Sequence, residues 1–331
     1  MGYARKALVS LQDTPYYHVI GRCVRRAWLW GFDEYAGKDY SHRKQWVLDR
    51  LALLSKTFAV DVCSYAIMSN HYHLVVHVDQ QRAHALTAQE VIERWSNVFA
   101  IPQVVSRWQS GEATPAECHT AEEVVKMWRS RLCDLSWYMR CLNEHLARRA
   151  NAEDECRGRF WESRFKSQAL LDDTGLLTAM AYVDLNPVRA GIAATPEAAD
   201  FTSVKARIAM IARSANPEPS QDTAPVRLLP FKAPGSRSPH LPFALKDYLT
   251  LLDWTGRTLR KGKHGHIDAA QPPILTRLKI DDSAWQGMMQ PSGNRFGRAL
   301  GPLDHLRLHA KTLGQCWIRG LRQATRMYQP S

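Results

Sequence analysis

Residues 71–78 read His-Tyr-His-Leu-Val-Val-His-Val, and this alternation constrains the fold more than any other stretch of the chain. Successive side chains of a strand point to opposite faces, so the segment is expected to be a strand with two unlike faces. Tyr72, Leu74, Val76 and Val78 make an apolar face suited to a core. His71, His73, Val75 and His77, followed by Asp79, fall on the other. Two imidazoles on one side of a strand suit a metal ion, and they also suit a pair of hydrogen-bonded structural histidines.

A second segment, Ala179-Met180-Ala181-Tyr182-Val183-Asp184-Leu185-Asn186-Pro187, has helical spacing. Asp172 and Asp173 offer an N-cap, and Pro187 sets the stop, because the residue before proline resists the α conformation. Leu176, Met180 and Val183 form a buried stripe. Tyr182 lies on a different face with Gly175, Thr178, Ala179 and, one turn on, Asn186. Small neighbours leave room for a bulky group to approach the hydroxyl, and the amide could add an oxygen ligand. An ordinary helix-end Tyr and Asn would look the same.

Four motifs, Tyr16–Arg22 (YYHVIGR), Tyr65–Val76 (YAIMSNHYHLVV), Gly158–Ser167 (GRFWESRFKS) and Ala181–Gly191 (AYVDLNPVRAG), occur in that order. Together they resemble the single-tyrosine HUH transposases, and specifically the REP-associated tyrosine transposases of bacteria, over roughly residues 14–195. The resemblance implies that His71 and His73 are metal ligands, that Tyr182 is the nucleophile and that Asn186 is the polar ligand one turn later. It also implies Mg²⁺ or Mn²⁺, a 5′-phosphotyrosyl intermediate with a free 3′-hydroxyl, and single-stranded DNA with hairpin or palindromic repeats as the partner. Two departures stand out: Tyr72 replaces the usual hydrophobe of the triplet, and a long stretch at about 80–134 separates the histidines from the later motifs.

The chemistry asks for these residue types. A divalent cation polarises phosphate oxygens and neutralises developing charge. Two neutral imidazoles and an amide oxygen leave coordination positions open, although such a donor set also accepts zinc. A tyrosine conserves bond energy in a phosphotyrosyl link that a later strand can reverse. A free phenol titrates near about 10, so metal or nearby cations must help to form the phenolate. Tyr138 is a competitor, but Leu135, Tyr138, Leu142 and Leu146 share an apolar helical stripe, which points to core. His18 and His77 could be further site residues, hydrogen-bonded structural histidines or DNA contacts.

The net charge of +12 favours a polyanionic partner. Seven scattered cysteines without a C-x-x-C pair fit reduced thiols, and no apolar run approaches the length of a membrane span. The expected setting is cytoplasmic, associated with a bacterial nucleoid, with no membrane partner and a monomer or homodimer.

Periodicity gives strands at 16–23, 60–67, 71–78 and 160–170, and helices at 41–58, 87–99, 121–132, 134–150 and around Tyr182. The expected class is α+β: a ferredoxin-like antiparallel sheet, helices on one face, the histidine strand central and the Tyr182 helix across it. The chain divides into a catalytic domain at 1–212 with a helical insertion at about 80–134, a linker at 213–242 and a mainly helical region at 243–331. The linker reading rests on seven prolines between 215 and 242.

Residues 256–331 hold 13 Lys/Arg against 4 Asp/Glu, with Arg257, Arg260, Lys261 and Lys263 in one cluster and Arg295, Arg298 and Arg307 in another. Trp254, Phe296 and Trp317 interleave with them, so the region reads as an accessory DNA-binding surface or a solvated appendage. Arg157, Arg159, Arg164 and Lys166 flank Phe160, Trp161 and Phe165 and are candidate phosphate contacts, with Glu162 a base-edge contact or an arginine partner. Three functions fit: a metal-dependent transposase, a domesticated DNA-binding regulator without cleavage, and a metal hydrolase using the histidines with Asp79 or Asp184.

Overall fold

The computed structural model describes residues 9–24, 31–33, 37–215, 226–232, 235, 239–258, 297–319, 321, 324 and 325. In chain order the elements begin β1 (Tyr16–Arg22), β2 (Phe32–Asp33), β3 (Lys38–Asp39), α1 (Arg43–Thr57), β4 (Val60–Ile67) and β5 (His71–Val78). Helices α2 (Gln80–Ala85), α3 (Ala88–Ser96), α4 (Gln103–Gln109), α5 (Pro115–Leu132) and α6 (Leu135–Glu153) follow. Then come β6 (Lys166–Leu170), α7 (Asp173–Asp184), α8 (Asn186–Arg189), α9 (Ser203–Ala215), α10 (Leu245–Thr258), β7 (Ala299–Leu300) and α11 (Leu303–Thr312).

The main sheet runs β4-β5-β1-β6-β7. Its first four strands pair antiparallel in the expected ferredoxin-like order, and β7 joins β6 in parallel. The histidine strand β5 lies between β4 and β1, as its two-faced pattern requires. Tyr17, Val19, Tyr72, Leu74, Val76 and Val78 point into one core with α1, α3, α5 and α6. The opposite face does not stay open. Cys63, Ala66, Val75 and Leu170 pack there beneath α7, α9 and α10. The sheet is therefore covered on both sides, with the long helices on one and the Tyr182 helix on the other. An alternating strand reveals its apolar face, but the helices that cover its polar face come from sequence far away.

Several boundaries differ from the periodicity. The expected strand 160–170 is short because Phe160 turns into the core and Trp161 bridges to Cys23 at the end of β1. Thr114 opens α5 with a reciprocal cap to Glu117, well before the apolar spacing at 121. Helix α11 ends at Thr312, and Gly314 just beyond it adopts a left-handed φ of +66°. Helices α2–α5 fill the long stretch at about 80–134, and Val91, Ile92, Trp95, Val125 and Trp128 join the first core.

The proline-rich stretch does not hang free where it is described. The Leu229 N–H donates to the Val62 carbonyl (2.8 Å) along β4, and Phe231 bridges to Leu241. Beyond it, Tyr248, Leu251 and Leu252 are buried against α7, and Leu306 and Ala310 of α11 pack into the other core.

Tyr72, the departure from the usual triplet, packs edge-on to Trp161 (5.7 Å) and donates to Asn143 Oδ1 (2.5 Å). Its ring occupies the space over Gly21, where an added Cβ would lie 2.5 Å from it. Gly21→Ala is therefore expected to lower stability by about 1–3 kcal/mol, as overpacking does. Chemical denaturation measures this. The cost should shrink in the Gly21→Ala, Tyr72→Leu double variant, and strict additivity of the two changes would contradict the packing account.

Candidate active site

Both ends of α7 are pinned. At its start Asp172 accepts from the Gly175 N–H (2.8 Å), and Gly175 lets the Leu300 carbonyl of β7 approach to 2.7 Å of where a Cβ would sit. At its end the buried Asp184 carboxylate accepts from Ser203 Oγ (2.5 Å), the Val204 N–H (3.1 Å) and the Tyr248 hydroxyl (2.6 Å). Burial pushes the Asp184 carboxyl up, while these donors and the nearby Arg207 charge oppose the rise. The helix is thereby set over the polar face of β5.

On that face the sequence-expected residues converge. The His71 and His73 rings stand edge to face with centroids 4.9 Å apart. Tyr182 lies edge-on to His73 at 5.7 Å and to His18 at 6.1 Å. Asn186 Nδ2 donates to His73 Nε2 (3.2 Å), which joins the helix to the strand at one point. Arg189, one turn past Asn186 within α8, holds its guanidinium 4.2 Å from the centroid of the Tyr182 ring. The sequence reading did not single out Arg189, although its spacing from Tyr182, two helical turns, was there to be read.

The histidines share one tautomer. His71 Nδ1 is 2.7 Å from Asn70 Oδ1, an acceptor, so Nδ1 carries the proton. His73 Nε2 accepts from Asn186, so its proton is also on Nδ1, which faces His18 Nε2 at 2.9 Å. Both Nε2 atoms thus carry lone pairs. Burial, then the Arg22 charge, lowers the His71 pKa to about 4. Burial, then the charges of His18, His71 and Arg189, puts His73 well below the usual histidine range. Neutral imidazoles with Nε2 lone pairs and an adjacent amide are a donor set that a divalent cation accepts.

Among the described residues a different trio, Asp61, His77 and Asp79, also brings its ligand atoms within 4.8 Å of one another. A cation already stands there. Arg82 Nη1 binds Asp61 Oδ1 (2.8 Å), and Asp61 Oδ2 meets His77 Nδ1 (3.2 Å). Asp79 caps α2 through the Arg82 N–H (2.9 Å). His77 lies four residues from His73, about 13 Å at the strand rise, so the two sets are separate. Asp79 and Asp184 are both engaged in these structural roles.

The other candidates sort plainly. Tyr138 is buried against Phe58 with rings 5.5 Å apart, a core residue. Arg157, Arg159, Arg164 and Lys166 are all exposed. Their loop is held at the His71 end of the sheet: Glu162 N–H donates to the Arg22 carbonyl (2.8 Å), and Arg22 is paired with His71. Glu162 also forms an ion pair with Arg22 at 3.6 Å. Arg257 is exposed and pairs with Asp253 (2.9 Å), whereas Trp254 is buried and Trp317 is exposed. Arg260, Lys261, Lys263, Arg295 and Phe296 lie outside the described residues. No helix among the described residues is long and apolar enough to cross a membrane.

No protein-family model and no curated protein matches the chain. A solved structure of a REP-associated tyrosine transposase bound to a REP hairpin is similar to it at 12% identity, with a TM-score of 0.38. That similarity covers 69% of this chain and 99% of the other.

The depressed histidines make stability depend on pH. The unfolded chain binds protons at these imidazoles near about pH 6.5, whereas the folded chain resists them. Their contribution is complete above that value and declines as pH falls towards about 4, the value for His18 and His71. Urea denaturation with EDTA present should show stability falling between about pH 6.5 and 5, with His18 supplying on the order of 1 kcal/mol of the fall. His18→Gln should flatten the slope in that window, and an unchanged slope would contradict a neutral buried imidazole.

Proposed function

We propose that the protein is a metal-dependent single-stranded DNA transposase and endonuclease, cleaving and rejoining DNA at hairpin-forming repeats through a phosphotyrosine. The observation that carries this reading is the meeting of Tyr182, His71, His73 and Asn186 on one sheet face, from two motifs about a hundred residues apart. His71 and His73 would hold Mg²⁺ or Mn²⁺ through Nε2, the ion taking the place of the Asn186 N–H at His73 and the amide turning so that its oxygen becomes the third donor. The bound ion supplies charge neutralisation at the phosphate.

Tyr182 is the nucleophile. Its oxygen bonds to phosphorus, the phosphorus–O3′ bond breaks, and the phenolic proton is balanced by protonation of the departing 3′-oxygen. The Arg189 guanidinium lies over the Tyr182 ring face and holds the ring where the strand must approach. The resulting link stays attached at the 5′ side until a free 3′-hydroxyl reverses the step. Arg157, Arg159, Arg164 and Lys166, exposed around the His71 end, supply phosphate contacts that position the strand. Arg257, Arg260, Lys261 and Lys263 would supply further phosphate contacts. DNA as the partner puts the protein in the bacterial cytoplasm at the nucleoid. A binding-only regulator would have no need to keep this constellation together.

Single strands carrying candidate palindromes, each labelled on one side of the hairpin, test the reading directly. With Mn²⁺, a species that survives denaturation should migrate slowly on gels. Tyr182→Phe is expected to abolish it while hairpin affinity changes by less than about twofold, and Tyr138→Phe to retain it wherever the fold persists. His73→Ala should reduce adduct formation by at least about a hundredfold. An adduct that persists in Tyr182→Phe, or maps by peptide mass to another tyrosine, would overturn the assignment.

A further inference from the structure

Behind His73 runs a buried, one-way hydrogen-bond series. His73 Nδ1 faces His18 Nε2 at 2.9 Å, and His18 Nδ1 faces Gln168 Oε1 at 3.4 Å. Gln168 Nε2 donates to the Gly297 carbonyl (2.8 Å). His18 and Gln168 are 3% and 5% exposed, so water cannot easily substitute for a missing link. Every proton in this series has one consistent place. The Gly297 carbonyl can only accept, which turns the Gln168 amide so that its oxygen faces His18. That oxygen can only accept, so His18 carries its proton on Nδ1. His18 Nε2 is then an acceptor, and His73 must carry its proton on Nδ1.

We propose that His18, oriented by Gln168 and the Gly297 carbonyl, is the positioning residue that fixes the His73 tautomer and leaves the Nε2 lone pair facing Asn186 and Tyr182. The inference rests on the metal reading given above, but the tautomer claim can be tested apart from it. A ligating imidazole depends on the group bonded to its other nitrogen, which holds the ring and raises its basicity. Here that group is a second histidine in place of the more usual carboxylate or carbonyl. The geometry also gives β7 and the two residues before it a role at the site. The Ala169 N–H donates to the Arg298 carbonyl (2.8 Å), and the Leu171 N–H to the Leu300 carbonyl (2.8 Å), so the Gly297 acceptor is set by sheet pairing. A segment far along the chain closes the series that begins at the strand histidine.

The test uses the full chain and three variants: His18→Leu, His18→Gln and Gln168→Leu. Nitrogen-15 NMR of the imidazoles in EDTA reads the tautomer, and electron paramagnetic resonance with added Mn²⁺ reads affinity. Wild type should show His73 as the Nδ1–H tautomer. His18→Leu removes the acceptor at Nδ1, and because the Asn186 amide can turn its oxygen to Nε2, His73 should become a mixture of tautomers and Mn²⁺ affinity should fall by about 10–100-fold. His18→Gln restores an oxygen acceptor and should recover the Nδ1–H form and most of the affinity. Gln168→Leu should give an intermediate loss. Thermal unfolding of each variant separates these effects from a general loss of stability. A wild-type-like His73 tautomer in a folded His18→Leu variant would overturn the proposal, as would an affinity loss that His18→Gln does not repair. Tautomers that shift as expected while wild type binds no Mn²⁺ would support the hydrogen-bond series and reject the metal reading.

Discussion

The contact between His73 Nε2 and Asn186 ties the molecule's two halves of chemistry together. One atom belongs to a strand set early in the chain, the other to the first residue of the short helix α8, more than a hundred residues later. Neither group gains much from a single neutral hydrogen bond, worth about 1 kcal/mol net. Its consequence is geometric. Both side chains are buried, both need partners, and satisfying each with the other fixes how the Tyr182 helix lies on the sheet. Once that angle is set, the tyrosine ring falls beside both inner histidines.

The helix could not hold this angle by one contact alone. Asp184 takes three hydrogen bonds from α9 and α10, and the first turn is locked by Asp172 and the close approach of β7 at Gly175. An unpaired buried carboxylate would be costly, so its donors constrain the end of α7 strongly. The residues after the proline-rich stretch thus belong to the architecture that positions the nucleophile. Their basic surface and their packing role coexist: Arg257 is exposed on α10, while Tyr248 and Trp254 of the same helix are buried.

Much of this was legible in the sequence. The alternation at 71–78 gives the strand and its apolar face, because a shift of one residue would turn the histidines into the apolar core beneath α1 and α6 and take Leu74 and Val76 out of it. The i, i+4 spacing of Tyr182 and Asn186 likewise places both on one helical face. What spacing could not show was the neighbour across a strand. His18 reaches His73 because β1 pairs with β5, and Gln168 reaches His18 because β6 pairs with β1. Those registers depend on long-range pairing, which local periodicity does not encode. The same holds for Asp184: its carboxylate looks available in the motif, yet it is enclosed by residues from Ser203 and Tyr248. Trp254 also looks like a base-stacking aromatic beside its arginines, until α10 turns it inward.

The account stands or falls on where a divalent ion binds. Crystals grown with Mn²⁺ and measured at the manganese absorption edge would place it by anomalous scattering, without reference to any reaction. The predicted peak lies within bonding distance of the Nε2 atoms of His71 and His73 and beside the Asn186 amide. A peak at Asp61, His77 and Asp79 with none at the His71–His73 pair would contradict the account.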